Sequence, residues 1–387
     1  MKIAIVCDVL GEENNGATHA AMNFIRSLKA KGHQVNIICP DKDKKGEEGY
    51  FVCPQRNFGP LNPYIKKVGV TIAKADEKII EEGIKGCDIV HLHLPFPMSN
   101  KAIKIAKKYE IPLTASFHMQ AENLTSYLKL QKVKPVNNFV YKFIYKHTYS
   151  QVNAIHFPTR FIKNTFERNI RRKTNAYVIS NGVNSAIERR PTEKPENLKD
   201  KFIILSTGRY CDEKAQDILI KAVAQSKYKD KIHLILAGQG LKRKTFERIA
   251  KKVGVNPQYS FFSRKEIVDA INYCDLYVHP ARVELEGIAC LEAICAGKAT
   301  IVSNSRKAAT SGFAVDERCI FKNNDFVDLA EKIDYFIEND DIRKEIADKY
   351  FESATNYDQA ECMNKMEQML FETIEKYKLK KQQTKNN

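Results

Sequence analysis

The stretch Val278–Asn304, VHPARVELEGIACLEAICAGKATIVSN, decides how the chain folds. A short apolar run ends at Pro280, and a loop carrying Glu284 and Glu286 follows it. A helix is predicted from about Ile288, and a second apolar run, Ala299–Ser303, comes after it. Strand, loop, helix and strand at this spacing make a parallel α/β unit. Glu284 and Glu292 stand eight residues apart, one in the loop and one in the helix. Gly287 and Ile288 lie where loop becomes helix, so backbone N–H groups there are open to an anion. A carboxylate accepts charge-assisted hydrogen bonds from neighbouring hydroxyls. The stretch therefore joins acids suited to sugar hydroxyls with a helix end suited to phosphate, as a nucleotide-sugar site requires. Taken alone, Glu284 and Glu286 also read as solvated loop acids, and Glu292 as a surface helix residue. The rest of the chain has to decide.

Working outward, the same alternation fills the second half of the sequence. Phe202–Ser206 reads as a strand leading to Gly208 and Arg209, and the polar loop Tyr210–Ala215 carries Lys214. A helix runs from there through Gln225. Ile232–Ala237, Tyr259–Phe262 and Leu276–His279 are further strands, with helices predicted over Lys242–Val253 and Lys265–Asn272. Helices are also predicted over Phe326–Glu338, Ile342–Tyr350 and Asp358–Leu379, with the basic tail KKQQTKNN frayed.

The first half is similar. Ile3–Cys7 is a continuous apolar run, the mark of a central parallel strand. A loop with Gly11 and Gly16 leads to a helix over Thr18–Lys31, stopped by Gly32, and Val35–Cys39 is the next strand. The loop lacks G-x-G-x-x-G, which argues against a dinucleotide cofactor. Gly16 sits where backbone can approach a phosphate, and equally where a plain turn would stand. Tyr64–Ile84 is helical in pattern. Asp88–Leu94 is a strand holding His91 and His93, both of which read as core or strand-end histidines. Met98–Tyr109 is a helix, and Pro112–Phe117 a strand running into His118. Ligands of open parallel sheets bind beyond the carboxyl ends of strands, which singles out His118 among the histidines. Ala154–Pro158 and Tyr177–Ile179 are short strands. Ser185–Lys201 is charged, holds Pro191 and Pro195, and reads as a linker. Two Rossmann-like domains with a cleft between them are expected.

The composition bounds the partners. Apolar residues make up 43%, enough for two cores. The ten cysteines include no C-x-x-C pair and fall partly inside apolar runs, so buried thiols of a cytosolic chain are expected. The opening MKIAIVCDVL turns polar too soon for a signal peptide, and no window holds eighteen unbroken apolar residues. Sixty-three basic against forty-seven acidic residues leave +16, which favours nucleic acid, nucleotide phosphates or an anionic membrane surface. The basic residues are scattered, and no nucleic-acid-binding motif appears. Residues 123–166 contain neither Asp nor Glu. Within them Val136, Phe139, Val140, Phe143 and Ile144 form one helical stripe, while Asn138, Lys142 and Lys146 line another face. That pattern suits a helix lying on a membrane surface, and also a core-facing helix with a solvated basic face.

Four segments resemble, in order, the retaining glycosyltransferases of family 4. Glu284-x7-Glu292 with Ala293 and Gly297 is similar to the family signature, and Gly208-Arg209 with Glu213-Lys214 to its diphosphate-binding segment. VISNGV, Val178–Val183, resembles the turn before the interdomain linker, and SFHMQ, Ser116–Gln120, the strand-end histidine segment. VELEGIACLEA with SNSRKAATSGFAVDER looks more specifically like bacterial 1,2-diacylglycerol glucosyltransferases.

The resemblance implies the GT-B fold: two Rossmann-like domains with parallel sheets facing across a cleft, and a C-terminal helix crossing back to the first domain. The expected division is 1–190 for acceptor and membrane, 191–357 for nucleotide-sugar, and 358–387 for helix and tail. It implies transfer of glucose from UDP-glucose to diacylglycerol with the α configuration kept. His118, Glu284, Arg209 and Lys214 would carry the chemistry. Gly16, Gly208, Arg209, Lys214, Glu284, Gly287, Ile288 and Glu292 would hold the donor, Glu292 at the ribose. Lys66, Lys67, Lys132, Lys134, Phe139, Lys142, Phe143 and Lys146 would meet membrane and acceptor. The UDP-sugar is a substrate rather than a tightly bound cofactor. A divalent metal is expected at most to stimulate, without a protein-bound site, and nucleic acid is not an expected partner. The expected location is the inner face of the cell membrane, peripherally. The alternatives are a family 4 enzyme with a soluble sugar or polysaccharide acceptor, and a non-catalytic binder of nucleotide-sugars or nucleic acid. The sequence departs from the family in the separation of Gly11 from Gly16, and in holding Glu286 where an aromatic is common.

Overall fold

Ile3, Ala4, Ile5 and Val6 are wholly buried, so the first strand is covered on both faces and its unbroken apolar run is explained. A computed structural model describes residues 1–10, 16–57, 59, 72–126, 130 and 133–386. Gly11, Lys66, Lys67 and Lys132 lie outside the described residues. The chain divides into two compact units, Met1–Asn181 with Ala360–Asn387, and Gly182–Gln359.

The first unit is built on β1 (Lys2–Val6), β2 (Gln34–Cys39), β3 (Tyr50–Val52), β4 (Ile89–Leu92), β5 (Leu113–Ser116), β6 (Ala154–Phe157) and β7 (Ala176–Val178). They form one sheet in the order β3-β2-β1-β4-β5-β6-β7, and every pairing is parallel. The second unit repeats the plan with β8 (Phe202–Thr207), β9 (Ile232–Ala237), β10 (Gln258–Ser260), β11 (Leu276–His279), β12 (Thr300–Ser303) and β13 (Ile320–Phe321). Their order is β10-β9-β8-β11-β12-β13, again parallel. In each sheet the winding reverses beside the first strand, between β1 and β4 and between β8 and β11. Such a reversal opens a crevice at the carboxyl ends of those strands.

The C-terminal helix, Gln359–Asn386, returns to the first unit. Met363, Met366, Met369 and Leu370 pack with Ile3, Phe24, Leu28 and Ile37. His33 bonds Glu367 at 2.6 Å, and the Tyr177 hydroxyl donates to Glu372 at 2.7 Å. The described part of the tail is helical rather than frayed, since the helix continues to Asn386.

Three other expectations change. Of the Tyr64–Ile84 helix, residues 64–71 lie outside the described residues, and the described helix is Glu77–Ile84. Asp76 caps it by accepting from the N–H groups of Lys78 and Ile79, which fixes the start there. The Ser185–Lys201 segment is not a free linker, because Ile187 and Leu198 are buried in the core of the second unit. Residues 182–190, read as first-domain sequence, therefore group with the second unit.

The third change concerns the basic helix, Lys134–His147. Its buried face is Asn137, Tyr141 and Ile144, not the Val136–Ile144 stripe. Tyr141 donates to Glu122 at 3.0 Å, and Thr125 donates to Asn137 at 2.7 Å, both toward the short helix Ala121–Ser126. Those bonds turn Phe139 and Phe143 outward.

Candidate active site

The acids of the opening stretch are not solvated. Glu286 is only 3% exposed, and the Glu284 side chain is largely covered. The loop that carries them is clamped on two sides. The N–H groups of Arg282 and Val283 donate to the Glu213 carbonyl at 2.7 and 3.3 Å. On the other side the Glu284 N–H donates to Lys307 O at 3.1 Å, and the Ala309 N–H to Glu284 O at 2.9 Å. The Arg282 guanidinium reaches both carboxylate oxygens of Asp217, at 3.0 and 2.8 Å. The Asn304–Lys307 segment, without a role from sequence, is thus part of the clamp.

Inside the loop Glu284 meets two donors. Lys214 Nζ and His279 Nε2 both bond its Oε2, the histidine at 3.0 Å. Burial pushes the Glu284 carboxyl up, but the Lys214 charge and the His279 hydrogen bond outweigh it and hold it down at about 2. Burial lowers His279 below its ordinary value, helped by the Lys214 charge and opposed by the bond to Glu284, so the imidazole is neutral at pH 7. From sequence His279, the last residue of β11, reads only as strand.

Glycines shape the crevice. Gly208 follows β8, and a side chain at Gly238, after β9, would collide with the Gly208 carbonyl. The two loops therefore pack backbone to backbone, with the Lys214 side chain lying 3.5 Å from where a Gly208 Cβ would stand. Gly287 caps the helix Ile288–Cys295 at φ 92°, and a Cβ there would lie 2.6 Å from Thr310 Cγ2 and 3.2 Å from Glu284 Cγ. Gly208, Lys214, Glu284 and Gly287 are thus brought together, and Ile288 opens the helix beside them. Arg209 is exposed, and its guanidinium has no protein partner among the described residues. Glu292 lies one turn further along the helix and accepts from Arg264 Nη1 at 2.6 Å.

His118 belongs to a different cluster, in the first unit. His91 lies between Thr114 and Ser116 at 2.9 Å each, Ser116 bonds His156 Nδ1 at 2.9 Å, and His156 Nε2 bonds the Ile179 carbonyl at 2.7 Å. A carbonyl can only accept, so Nε2 of His156 carries the proton. The directions of the other bonds follow, and the whole chain is neutral. His93 Nε2 likewise donates to the Ala17 carbonyl at 2.8 Å, in the first turn of the helix Gly16–Ala30. The His93 and His118 rings lie 4.3 Å apart. Burial holds His93 and His156 down at about 4 and lowers His91 and His118 well below the usual range. Gly16 is exposed, and a Cβ there would meet open space. Beside this cluster burial pushes the Asp8 carboxyl up to about 7, against N–H donation from Met98 and Ser99.

Lys134, Phe139, Lys142, Phe143 and Lys146 share the exposed side of the helix Lys134–His147, with the two phenyl rings 6.2 Å apart. No group of three or more His, Cys, Asp or Glu among the described residues is placed to hold a metal ion. Among the described residues no helix is long and apolar enough to cross a membrane.

Two parallel sheets of one strand order, each with polar groups gathered at its switch point, define a two-domain transferase architecture of the GT-B kind. Residues 14–186 match the family described as Glycosyltransferase Family 4, and residues 188–352 the family described as Glycosyl transferases group 1. The chain belongs to these glycosyltransferases. The alpha-monoglucosyldiacylglycerol synthase of Acholeplasma laidlawii is 23% identical over 78% of this chain and 80% of its own. The enzyme of the same name from Streptococcus pneumoniae is 24% identical over 78% of this chain and 70% of its own. The structure of Anabaena HepE in complex with UDP-glucose superposes with TM-score 0.72 at 17% identity, covering 97% of this chain and 100% of that one.

Proposed function

We propose that the protein transfers glucose from UDP-glucose to 1,2-diacylglycerol, keeping the α configuration, while docked peripherally on the inner face of the cell membrane. The observation that carries the lipid acceptor is the outward pair Phe139 and Phe143, 67% and 50% exposed, set among Lys134, Lys142 and Lys146. Exposed aromatics beside lysines suit the headgroup boundary of an anionic bilayer, where each surface lysine contributes roughly 1 kcal/mol. The likeness to two glucosyldiacylglycerol synthases supports the same acceptor.

In this scheme the second unit holds the donor. Arg209, exposed and unpaired among the described residues, meets the diphosphate with Lys214 and the N–H groups at Gly287 and Ile288. Glu284, anionic throughout the working pH range, accepts from the hexose hydroxyls, and Glu292 from the ribose. The bond from the sugar C1 to the departing phosphate oxygen breaks, and a bond from C1 to the lipid hydroxyl oxygen forms. The hydroxyl proton leaves toward the phosphate. Negative charge grows on the departing UDP, so fixed cations there stabilise the transition state more than the ground state. His118, neutral and partly exposed, orients a hydroxyl by hydrogen bonding without adding charge.

The test is a donor-by-acceptor assay. Purified protein meets UDP-glucose, UDP-galactose and GDP-mannose, each with dioleoylglycerol or a sterol in anionic micelles, or with soluble sugars. A glucosyl lipid from dioleoylglycerol and UDP-glucose alone is the expected product. Transfer only to soluble sugars would retain the donor site and discard the membrane acceptor.

A further inference from the structure

The bond between His279 and Glu284 is built more carefully than a surface pair. His279 is 1% exposed at the carboxyl end of β11, and its ring stacks on Tyr277 with 17° between planes. Tyr277 is held in turn by a 2.6 Å bond between its hydroxyl and Thr207 at the end of β8. The imidazole therefore cannot swing without disturbing two strands. Its Nε2 faces a carboxylate, which only accepts, so that nitrogen carries the proton and Nδ1 keeps its lone pair. Among the described residues Nδ1 is buried without a partner, an arrangement that costs stability. Among the described residues the one hydrogen bond that the ring makes is the bond to Glu284.

The geometry at the carboxylate is one-sided. His279 and Lys214 both take Oε2, and Oε1 has no protein partner among the described residues. Two donors on one oxygen stop rotation about the Cγ–Cδ bond and leave the other oxygen to accept from outside. Lys214 alone would leave the carboxylate free to turn, because a lysine tip is a single charge on a flexible stem. A rigid, stacked imidazole supplies the missing direction.

We propose that His279 is a positioning residue that locks Glu284 so that Oε1 is presented to a hydroxyl of the donor hexose. This rests on Glu284 being the acceptor for the donor sugar. It gives His279 a role in recognising the hexose and none in recognising UDP.

The experiment is calorimetric titration of UDP-glucose and of UDP into the full chain, with wild type, His279→Phe, His279→Asn, His279→Gln and Glu284→Ala compared. Phe removes the donor, and Asn is too short to reach the carboxylate, so the second stands if the first misfolds. Gln keeps a neutral N–H near the Nε2 position. His279→Phe and His279→Asn are expected to bind UDP-glucose about tenfold more weakly, the scale of one lost charge-assisted hydrogen bond, with UDP affinity unchanged. His279→Gln is expected to recover most of the loss. Equal weakening of UDP and UDP-glucose would reduce His279 to a structural role and overturn the proposal, as would unchanged UDP-glucose affinity in both loss variants. If Glu284→Ala also leaves the preference for UDP-glucose over UDP untouched, the donor-site assignment itself fails. If that preference falls in Glu284→Ala only, the assignment stands and the His279 proposal alone is lost.

Discussion

The two sheets share one strand order, but their strand ends carry opposite chemistry. In the first unit β4, β5 and β6 end among His91, His93, His118 and His156, all held neutral by burial. In the second, β8 and β11 end among ions: Lys214 on Glu284, Arg282 on Asp217, and Arg209, unpaired among the described residues. The fold supplies the crevice, and the loop residues choose its charge. A wall of neutral rings can orient hydroxyls and admit an uncharged acceptor. A wall of fixed ions can grip a diphosphate and stabilise the charge that develops when it leaves. Under the proposed function the ionic end takes the donor, and charge-removing substitutions there are the most damaging.

Glu284→Ala tests that directly. It removes an acceptor and strands Lys214 and His279 in a covered site. A loss of about 1000-fold in kcat/KM is expected, on the scale of two charge-assisted bonds. His118→Ala, which removes a neutral partner, is expected to cost about 100-fold. Initial rates with the two variants decide it, and an equal or reversed ranking would break the contrast between the two ends.

Acid should separate the units by stability. A histidine buried neutral has its pKa lowered by folding, so its contribution is complete above about pH 6.5 and is lost as pH falls toward 4. The first unit holds four such rings, and the second holds His279 alone. His93 and His156, each held at about 4, contribute roughly 3 kcal/mol apiece at neutral pH. Asp8 acts with the opposite sign. Its carboxyl is raised to about 7, so its contribution is greatest at low pH and fades as pH rises through 7, which offsets about one histidine. For His93 and His156 set against Asp8, the net loss between pH 7 and 4 is on the order of 3 kcal/mol, and His91 and His118 add to it in the same direction. Glu284, held at about 2, keeps its contribution until the pH drops below 4.5. Hydrogen exchange followed by mass spectrometry at stepped pH should show peptides of β4–β6 opening before those of β8 and β11. Simultaneous opening would mean that the neutral rings are not the acid-sensitive element.

Much of this was legible in the sequence. Strands covered on both faces read as unbroken apolar runs, and Gly32, Gly208 and Gly287 marked where they must turn. Glu284 taken alone also reads as a solvated loop acid, and it is the four resembling segments in order that single out Glu284 and Lys214. The pairing of His279 with Glu284 depends on a loop that doubles back under a clamp from Glu213 and Lys307, which no local pattern encodes. The face of the basic helix was hidden for a similar reason. Its apolar stripe is real in sequence, but hydrogen bonds from Tyr141 to Glu122 and from Thr125 to Asn137 set which side is buried. The helix Arg160–Ile170 had no predicted element at all, although Phe166 and Ile170 bury one side of it.

That outward stripe yields a smaller effect. Replacing Lys142 and Lys146 together by Glu removes two cations and adds two anions beside Phe139 and Phe143. At roughly 1 kcal/mol for each lost cation, binding to anionic vesicles should fall about 30-fold and depend less on salt. Co-sedimentation at two salt concentrations measures it. Donor affinity should not move, since these residues belong to the first unit. A fall in donor affinity would blur the division of labour between the neutral end and the ionic end.

The smallest effect is expected where the ionic end reaches solvent. Arg264 bonds Glu292 at 2.6 Å, but half of the arginine side chain is exposed. A pair of this kind typically contributes less than about 1 kcal/mol, because water competes for both partners and two long side chains must be held still. Arg264→Ala should therefore change stability barely and the donor KM by about threefold at most. The sign of that small change is informative. If Glu292 must leave Arg264 to accept from a ribose, removing the arginine frees it, and KM falls. If Arg264 instead holds Glu292 in place, as His279 is proposed to hold Glu284, KM rises. A rise would extend the locking principle from a buried imidazole to an exposed guanidinium. A fall would confine it to the covered end of the loop, where neither partner can exchange its bond for water.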